Sequence, residues 1–371
     1  MFNSFFMGGF ECSSHRHRSG QRLDLMALTG HDRHFAQDYD RLAAHGLYTA
    51  RTGIRWHLVE PRPHVYDWSS VVPMIRAARE RGIQLIWDVL HYGYPDDLDI
   101  FSASFVDRFR RLGRAFAQVL ADEGETVPII CPVNEISFFA WAGGDAGFLN
   151  PYVSGRSFEL KCQLVRAALE VTDAFWETAP DTRVIHCDPV VHIIPNPERM
   201  HEADEAEGYR TAQYQGWDLL SGRLMPQLGG DPKYLDVLGL NFYPNNEWVY
   251  KGDMIERDDP QYKPFRRICA EIYERYQRPM MVAETGAESE RRAGWFRYVC
   301  AEVRAALAAG LPLHGICLYP IMSFPGWEDG RDCQNGLWGY AAPDGGRAIY
   351  PPLAQALADE QSAFVLYALH G

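Results

Sequence analysis

The chain has 371 residues, 47% of them hydrophobic, and its 36 basic and 49 acidic side chains give a net charge of −13. This much apolar sequence is enough for a large core, and an α/β barrel can reach this length as one domain. An acidic chain without a basic stripe argues against nucleic acid or an anionic membrane as partner. No segment approaches the ~18 consecutive apolar residues of a membrane span.

Eight apolar, strand-like runs follow one another along the chain, with helical patterns between them. The predicted strands are 5–10, 47–55, 84–90, 127–133, 183–188, 235–241, 279–283 and 315–320. Three helices end at Gly46, Gly82 and Gly310 just before a strand, which is typical of helix-to-strand joints. This alternation predicts a (β/α)8 TIM barrel, and because no linker divides the chain, a single domain over residues 1–371.

The helices have apolar faces of the right period. Positions 105, 109, 112, 116 and 119 follow a 4-3-4-3 spacing. The apolar positions of the segment 160–175 are likewise three or four residues apart, and Ser157 is the predicted N-cap of this helix. Further helices are predicted at 35–44, 71–81, 203–220, 263–277, 295–309 and 351–369.

The eight cysteines include no C-x-x-C pair, and several lie inside apolar segments. They are therefore predicted to be buried free thiols of a reducing compartment. The first fourteen residues lack the basic start and long apolar stretch of a signal peptide, so the prediction is a cytoplasmic protein. Cys12, His15 and His17 could form a metal cluster, but neighbouring arginines and the lack of a closing ligand argue against it.

Two of the predicted strands end on a glutamate. The run VPIICPVNE (127–135) ends on Glu135, and PMMVAETG (279–286) contains Glu284. On the strand count these are the fourth and seventh strands, and α/β barrels gather their chemistry at the carboxyl ends of strands. Each glutamate could instead only cap the helix or turn that follows.

Seven segments resemble motifs of glycoside hydrolase family 1, the β-glucosidase family, within the clan of (β/α)8 retaining glycosidases. They are FMGGFECSSHR (6–16), ARTGIRW (50–56), VLHYGYP (89–95), PVNEI (132–136), GLNFYP (239–244), VAETG (282–286) and LYPIMSFPGWEDG (318–330). They occur in the family's order along nearly the whole chain. The resemblance implies a retaining β-glycoside hydrolase that needs no cofactor or metal.

The resemblance also implies roles for individual residues. Glu135 corresponds to the general acid/base and Glu284 to the nucleophile, which a retaining mechanism holds about 5 Å apart. Arg51 and Tyr243 are expected beside Glu284, where both would favour its ionised form. Asn134 is expected to bind the sugar's 2-hydroxyl. Arg51 could instead be an ordinary strand-end ion pair, and Tyr243 only a packed aromatic.

Other positions depart from the family pattern. Arg16 stands where the family has a sugar-binding Gln, and Gly326 where it has a sugar-gripping Glu. Trp327 is kept, whereas Tyr319 replaces the Trp of the sugar platform. Arg16 would suit an acidic sugar, through charge-assisted hydrogen bonds.

The remaining candidates are weaker. His91 is expected to bind sugar but could be a satisfied polar group at the barrel mouth. Asp188 and His192 follow the fifth strand and could reach the substrate. Asp88 and Asp329 could replace lost hydroxyl contacts, whereas Glu288 is expected to start the next helix.

Two rival functions stay open. One is an endo-acting glycanase of a sister family, which a cleft lined by several aromatic side chains would favour. The other is a barrel that binds carbohydrate without turning it over, because the positions that grip the sugar differ. In each case the partner is a carbohydrate or glycoside, and the sequence gives no prediction of the oligomeric state.

Overall fold

Eight parallel strands close into a barrel in the computed structural model, which describes the backbone of residues 1–370 and the side chains of residues 1–365. The strands are β1 (Phe6–Gly9), β2 (Thr49–Gly53), β3 (Gln84–Asp88), β4 (Ile129–Cys131), β5 (Arg183–Pro189), β6 (His192–Ile194), β7 (Val237–Asn241), β8 (Glu247–Val249), β9 (Met280–Thr285) and β10 (Leu313–Leu318). The order around the barrel is β1-β2-β3-β4-β5-β7-β9-β10. The predicted (β/α)8 barrel is confirmed.

Helices surround this barrel. They are α1 (Leu25–Thr29), α2 (His31–Ala44), α3 (Trp56–Val59), α4 (Val72–Glu80), α5 (Ala103–Asp122), α6 (Ile136–Gly144), α7 (Ser157–Thr178), α8 (Ala203–Thr211), α9 (Gln215–Leu220), α10 (Phe265–Tyr276), α11 (Arg291–Ala308) and α12 (Pro351–His370). Gly46, Gly82 and Gly310 all have positive φ, between 68° and 82°. A side chain with a Cβ is disfavoured there, which explains why glycine ends these helices.

Some boundaries differ from the prediction. β4 is only three residues long, because Val127 is exposed and the chain leaves the sheet after Cys131. Ser157 is the first residue of α7 rather than a cap, since Arg156 holds the cap position without a side-chain hydrogen bond. The predicted helix 203–220 is split into α8 and α9 by a 3₁₀ turn at Ala212–Tyr214.

A second, small sheet was not predicted. β6 and β8 pair in parallel, with His192 opposite Glu247, and each follows shortly after a barrel strand. The predicted strand 183–188 corresponds to β5, which ends at Pro189, and β6 begins at His192 after a short turn. The small sheet therefore lies on the side of the barrel where the carboxyl ends of β5 and β7 are found.

The barrel interior is filled by side chains. One buried cluster takes residues from alternate positions of the barrel strands: Met7, Ile86, Ile129, Cys131, Ile185, Cys187, Val237, Met281, Ala283, Cys317 and Tyr319. A larger cluster fills the layer between strands and helices. All eight cysteines are buried free thiols, as predicted. Within the described residues, no helix has the length and apolar character needed to cross a membrane.

Candidate active site

A cavity of about 1130 Å³ opens at the carboxyl ends of the barrel strands. Seven of the residues singled out from the sequence line it: His91, Glu135, Tyr243, Glu284, Glu288, Tyr319 and Trp327. Arg51 and Asn134 lie directly beneath its surface, and Arg16 does not line it. The barrel thus brings together side chains that are far apart in the sequence.

Glu135 follows β4 and caps α6 with a left-handed backbone, φ 48° and ψ 61°. Its backbone N–H donates to the carbonyl of Cys187 on the neighbouring strand at 3.0 Å. Its side chain accepts a hydrogen bond from Asn241 Nδ2 at 2.8 Å on Oε1 and one from the Tyr92 hydroxyl on Oε2. The carboxyl group is therefore held from two sides, although it faces the cavity.

Burial and the nearby negative charge of Glu284 raise the pKa of Glu135 to about 8. The hydrogen bonds from Tyr92 and Asn241 act in the opposite direction, because they stabilise the carboxylate. Burial outweighs them. Glu135 consequently keeps its proton at neutral pH.

Glu284 lies near the end of β9 and is 5% exposed. Arg51 Nη1 is 2.7 Å from its Oε1, and the Tyr243 hydroxyl donates to Oε2 at 2.9 Å. Burial raises the pKa of Glu284, while Arg51 and Tyr243 lower it. Of the two coupled carboxyl groups, Glu284 is the one in contact with a cation, so the pair keeps its negative charge there and its proton on Glu135.

Arg51 is fully buried and holds three side chains at once. Besides Glu284, it donates to Asp88 Oδ1 at 2.9 Å and to Asn134 Oδ1 at 2.5 Å. Asn134 turns its Nδ2 to the Tyr92 hydroxyl at 3.0 Å. Because this amide is fully buried and its polar atoms are engaged, the geometry does not support the predicted contact between Asn134 and the sugar.

The wall of the cavity near these groups is aromatic. The Nδ1–H of His91 donates to Asp88 Oδ2 at 2.8 Å, and the His91 ring lies parallel to that of Tyr319 at 6.3 Å. Trp327 packs against Tyr92, with ring centroids 5.9 Å apart. Such faces suit the apolar side of a sugar ring as well as mutual packing.

Arg16 is placed differently from the prediction. Its guanidinium forms a two-point ion pair with Asp96, and Arg22 contacts the same carboxylate. Its side chain is 37% exposed and is absent from the cavity lining. The structure does not bring it to the sugar-binding wall, because the loop after β1 carries it outward.

The weaker candidates have structural partners. Asp188 accepts from the Ser137 backbone N–H at 3.0 Å at the start of α6, and neither it nor His192 lines the cavity. Asp88 serves Arg51 and His91 rather than the cavity. Glu288 lines the rim and pairs with Arg331, although a helix start was predicted there, and α11 begins only at Arg291.

Asp329 is also outside the cavity, exposed and 3.5 Å from Arg331 Nε. Three residues that do belong to the site were not singled out: Glu11, Tyr92 and Asn241. Tyr92 and Asn241 lie inside the quoted motifs VLHYGYP and GLNFYP. Glu11 lies shortly after the first strand, as Glu135 lies shortly after the fourth, and this pattern could have identified it.

Cys12, Asp88 and His91 bring one potential metal ligand each within 4.8 Å of one another. Arg51 Nε already donates to Asp88, so a cationic side chain neutralises this carboxylate. The two histidines of the segment 15–18 are not part of the group.

Solved structures of Thermotoga maritima β-glucosidase share this architecture. The complex with glucoimidazole superposes with a TM-score of 0.78 at 16% identity, covering 93% of this chain and 90% of that one. The complex with noeuromycin gives 0.78 at 16% identity over 97% and 98%. A family 1 β-glucosidase from the same organism gives 0.76 at 17% identity over 90% and 86%.

No protein-family model and no curated protein sequence matches the chain. The likeness is therefore one of three-dimensional structure, and it extends over nearly the whole length of both proteins. The chain has the (β/α)8 fold of the family 1 β-glucosidases.

Proposed function

We propose that the chain is a β-glucosidase-like glycoside hydrolase that retains the configuration of the sugar. The observation that carries this proposal is the pair of buried glutamates, Glu135 and Glu284, that line one cavity in opposite electrostatic surroundings. A retaining mechanism needs one protonated and one ionised carboxyl group. The pair meets this requirement at neutral pH.

In the first step, the carboxylate of Glu284 attacks the anomeric carbon as Glu135 gives its proton to the glycosidic oxygen. The bond between the anomeric carbon and that oxygen breaks, the aglycone leaves as an alcohol, and the sugar is held as an ester on Glu284. In the second step, Glu135, now ionised, takes a proton from water as the water oxygen attacks the same carbon. The ester bond to Glu284 breaks, and the sugar leaves with its original configuration.

The surrounding residues support these roles. Arg51 and Tyr243 stabilise Glu284 as an anion before attack and again when it leaves the sugar. Asn241 and Tyr92 orient Glu135 toward the glycosidic oxygen. Asn134 is a positioning residue in this scheme, because it joins Arg51 to Tyr92 below the cavity surface.

A panel of aryl β-glycosides tests the proposal, with the configuration of the first product followed by proton NMR. We expect release of the β-anomer, and loss of activity by at least about 10³-fold in Glu284→Gln. Glu135→Gln should lose about 10²–10⁴-fold on substrates with poor leaving groups and much less on 2,4-dinitrophenyl glycosides, which need no acid assistance. Glu328→Gln, an exposed change outside the cavity, is the matched control. Initial release of the α-anomer would rule out retention.

A second candidate concerns the length of the substrate. The cavity is also lined by several other large side chains: Phe138, Trp141, Phe158, Tyr209, Trp248 and Met254. Trp141 and Phe158 are 39% and 44% exposed. An aromatic cleft of this kind favours an endo-acting enzyme or one with a large aglycone over a one-sugar pocket.

Cleavage of a series of β-linked oligosaccharides distinguishes an endo-acting from an exo-acting enzyme. An endo-acting enzyme produces internal fragments and gains in kcat/KM with each added sugar. An exo-acting β-glucosidase releases one sugar at a time from the non-reducing end. Binding of the same oligosaccharides without any cleavage would favour the third possibility, a carbohydrate-binding barrel.

A further inference from the structure

Glu11 is a third buried carboxylate in the same cavity. It lies two residues after β1, is 6% exposed and lines the cavity together with Glu135 and Glu284. Its Oε1 accepts a hydrogen bond from the Ser13 backbone N–H at 2.9 Å. In the part of the chain that the structure describes, Oε2 has no hydrogen-bond partner. A buried carboxylate normally has its oxygens satisfied, so this one has capacity left for a ligand.

Trp327 has the complementary feature. Its indole Nε1–H is buried and has no hydrogen-bond partner among the described residues, although the side chain lines the cavity. An indole N–H can only donate, whereas a carboxylate can only accept. A sugar hydroxyl does both. Two hydroxyl groups of one sugar ring could therefore satisfy Glu11 and Trp327 together.

A chain of contacts puts both groups on one wall. His91 Nε2 is 3.6 Å from Glu11 Oε1, and the His91 and Tyr92 rings are 4.7 Å apart. Tyr92 in turn packs on Trp327 and donates its hydroxyl hydrogen to Glu135. The unsatisfied acceptor and donor are thus linked directly to the side chain proposed to protonate the glycosidic bond. This is the wall that the sugar undergoing transfer would occupy.

The charges on this wall disfavour an acidic ligand. Glu11 and Glu284 are both in the cavity, and the cation that neutralises Glu284, Arg51, is buried beneath it. Burial lowers the pKa of His91, but its neighbours, Glu11 and Asp88 among them, raise it well above its ordinary value, so this lining side chain is a cation. Its charge is already balanced by these two carboxylates, at 2.8 Å from Asp88 Oδ2 and 3.6 Å from Glu11 Oε1.

Two further basic residues line the cavity: Lys161 on α7, which donates to Gln215 at 2.9 Å, and Arg291 at the start of α11. Neither belongs to the chain of contacts that joins Glu11 to Trp327. A sugar carboxylate bound between Glu11 and Trp327 would meet the like charge of Glu11, and the described contacts of this wall provide no unpaired cation to offset it.

We propose that Glu11 is a sugar-binding residue that sets specificity, accepting hydrogen bonds from ring hydroxyls and selecting a neutral glycone over a uronic acid. The inference rests on the proposed function only in so far as a glycoside occupies this cavity. Arg16 had suggested an acidic sugar as the substrate. The guanidinium of Arg16 instead pairs with Asp96 outside the cavity, so the expected glycone is neutral.

The first arm of the test measures turnover of p-nitrophenyl β-glucoside, β-galactoside and β-glucuronide. We expect the better neutral substrate to exceed the glucuronide by at least about 10²-fold in kcat/KM. Glu11→Gln should reduce kcat/KM for the neutral glycoside by roughly 10-fold or more, because an amide oxygen is a weaker acceptor than a carboxylate. It should also lower the ratio of kcat/KM for the neutral glycoside to that for the glucuronide, because the negative charge is removed. The control Glu328→Gln should leave both values within a factor of two. An unchanged preference in Glu11→Gln, or a glucuronide that is the better substrate, would overturn the proposal.

Circular dichroism checks that each variant is folded. A second variant, Glu11→Asp, separates the charge of Glu11 from the position of its carboxylate. Glu11→Asp keeps the charge but shortens the reach of the carboxylate. It should therefore bind neutral glycosides more weakly and still reject the glucuronide. If it accepted the glucuronide as well as the neutral sugar, the charge of Glu11 would not be the selective element.

The second arm measures binding without turnover, by calorimetric titration of Glu135→Gln with free glucose, galactose and glucuronate. Binding of a neutral sugar that the double variant Glu11→Gln/Glu135→Gln weakens, with no glycoside hydrolysed by the wild type, would support the role of Glu11 and contradict the proposed hydrolase. If the wild type hydrolysed glycosides but its preference for neutral sugars did not change in Glu11→Gln, the proposed hydrolase would be supported and the role of Glu11 contradicted. Glucuronate binding tighter than either neutral sugar would overturn the inference whatever the activity.

Discussion

The hydroxyl of Tyr92 donates a hydrogen bond to Oε2 of Glu135, and both residues have a left-handed backbone, with φ of 63° and 48°. A non-glycine residue in this region costs on the order of 1–3 kcal/mol, and such strain is concentrated at functional sites. The strain at Glu135 turns its carboxyl group from the end of β4 into the cavity. The Asn134 amide fixes Tyr92 from the other side, at 3.0 Å.

Replacing Tyr92 by Phe should move the basic limb of the pH–activity profile to higher pH. The hydrogen bond from Tyr92 stabilises the ionised form of Glu135 and lowers its pKa. Its removal raises that pKa above its value of about 8, by roughly one unit. Activity needs protonated Glu135, so the variant stays active to higher pH. Profiles of kcat/KM measure this, with Tyr39→Phe as control because the Tyr39 hydroxyl is buried without a partner. A limb that moves to lower pH would contradict the acid role of Glu135.

Replacing Tyr243 by Phe should act on the other limb. Tyr243 donates to Glu284 at 2.9 Å and lowers the pKa of this carboxyl group. Without it the pKa rises, and since attack needs the ionised form, the acid limb moves to higher pH. A hydrogen bond to a charged group contributes about 1.5–3 kcal/mol, so kcat/KM at neutral pH should fall roughly 10- to 100-fold. The same pH series, with the same Tyr39→Phe control, provides the measurement. If the acid limb did not move in Tyr243→Phe, Tyr243 would have no effect on the pKa of Glu284, which would contradict the proposed role.

Glu135→Gln should stabilise the protein at pH 8 and have little effect at pH 5. The pKa of Glu135 is raised on folding from 4.5 to about 8. Its favourable contribution is therefore complete below about pH 4.5 and is lost as the pH rises toward 8. Gln cannot ionise and does not lose this contribution. We expect a Tm higher than wild type by about 3 °C or more at pH 8, measured by calorimetry, and a difference near zero at pH 5.

The opposite trend, with a gain in Tm only at pH 5, would contradict the raised pKa of Glu135. Asp188 has its pKa raised to about 7 by burial, so its titration acts in the same direction. Because Asp188 is present in both the wild type and Glu135→Gln, its contribution to the pH dependence of Tm cancels in the difference between them.

Trp141→Ala and Phe158→Ala should impair large substrates selectively. Both side chains line the cavity and are exposed, so we expect them to contact only the distal sugars of a long substrate. Loss of one stacking surface should raise KM for β-linked tetrasaccharides by roughly 5- to 30-fold, as expected for about 1–2 kcal/mol of aromatic contact. The kcat/KM for p-nitrophenyl glycosides, which do not reach this region, should stay within about twofold. Tyr48→Ala, an exposed aromatic outside the cavity, is the control. Equal losses on both substrate classes would argue against an extended aglycone site.

The features that the sequence predicts well are those set by strand ends. A buried strand is an apolar run in the sequence, and the polar residues at its carboxyl end lie at the barrel mouth, so Glu135 and Glu284 could be proposed as site residues without coordinates. The expected contacts of Arg51 and Tyr243 with Glu284 are present. Each of these residues belongs to a strand or follows it closely, where register limits the position of the side chain.

Loop residues were less predictable. Arg16 lies seven residues beyond β1, where no register fixes its direction, and Asp96 from another loop captures it. The burial of Asn134 depends on contacts with β2 and on the loop after β3, which a single strand pattern does not contain. The role of Glu11 likewise becomes visible only once His91 and Trp327 are seen on the same wall.

The most direct test of the central claim is covalent labelling of the nucleophile. The protein is incubated with 2-deoxy-2-fluoro glycosides that carry an activated leaving group, in glucosyl, galactosyl and glucuronyl form, and its peptides are analysed by mass spectrometry. The account predicts a label on the peptide containing Glu284, obtained with a neutral sugar and absent in Glu284→Gln. A label on a different residue, or turnover of aryl glycosides with inversion and no label, would contradict it.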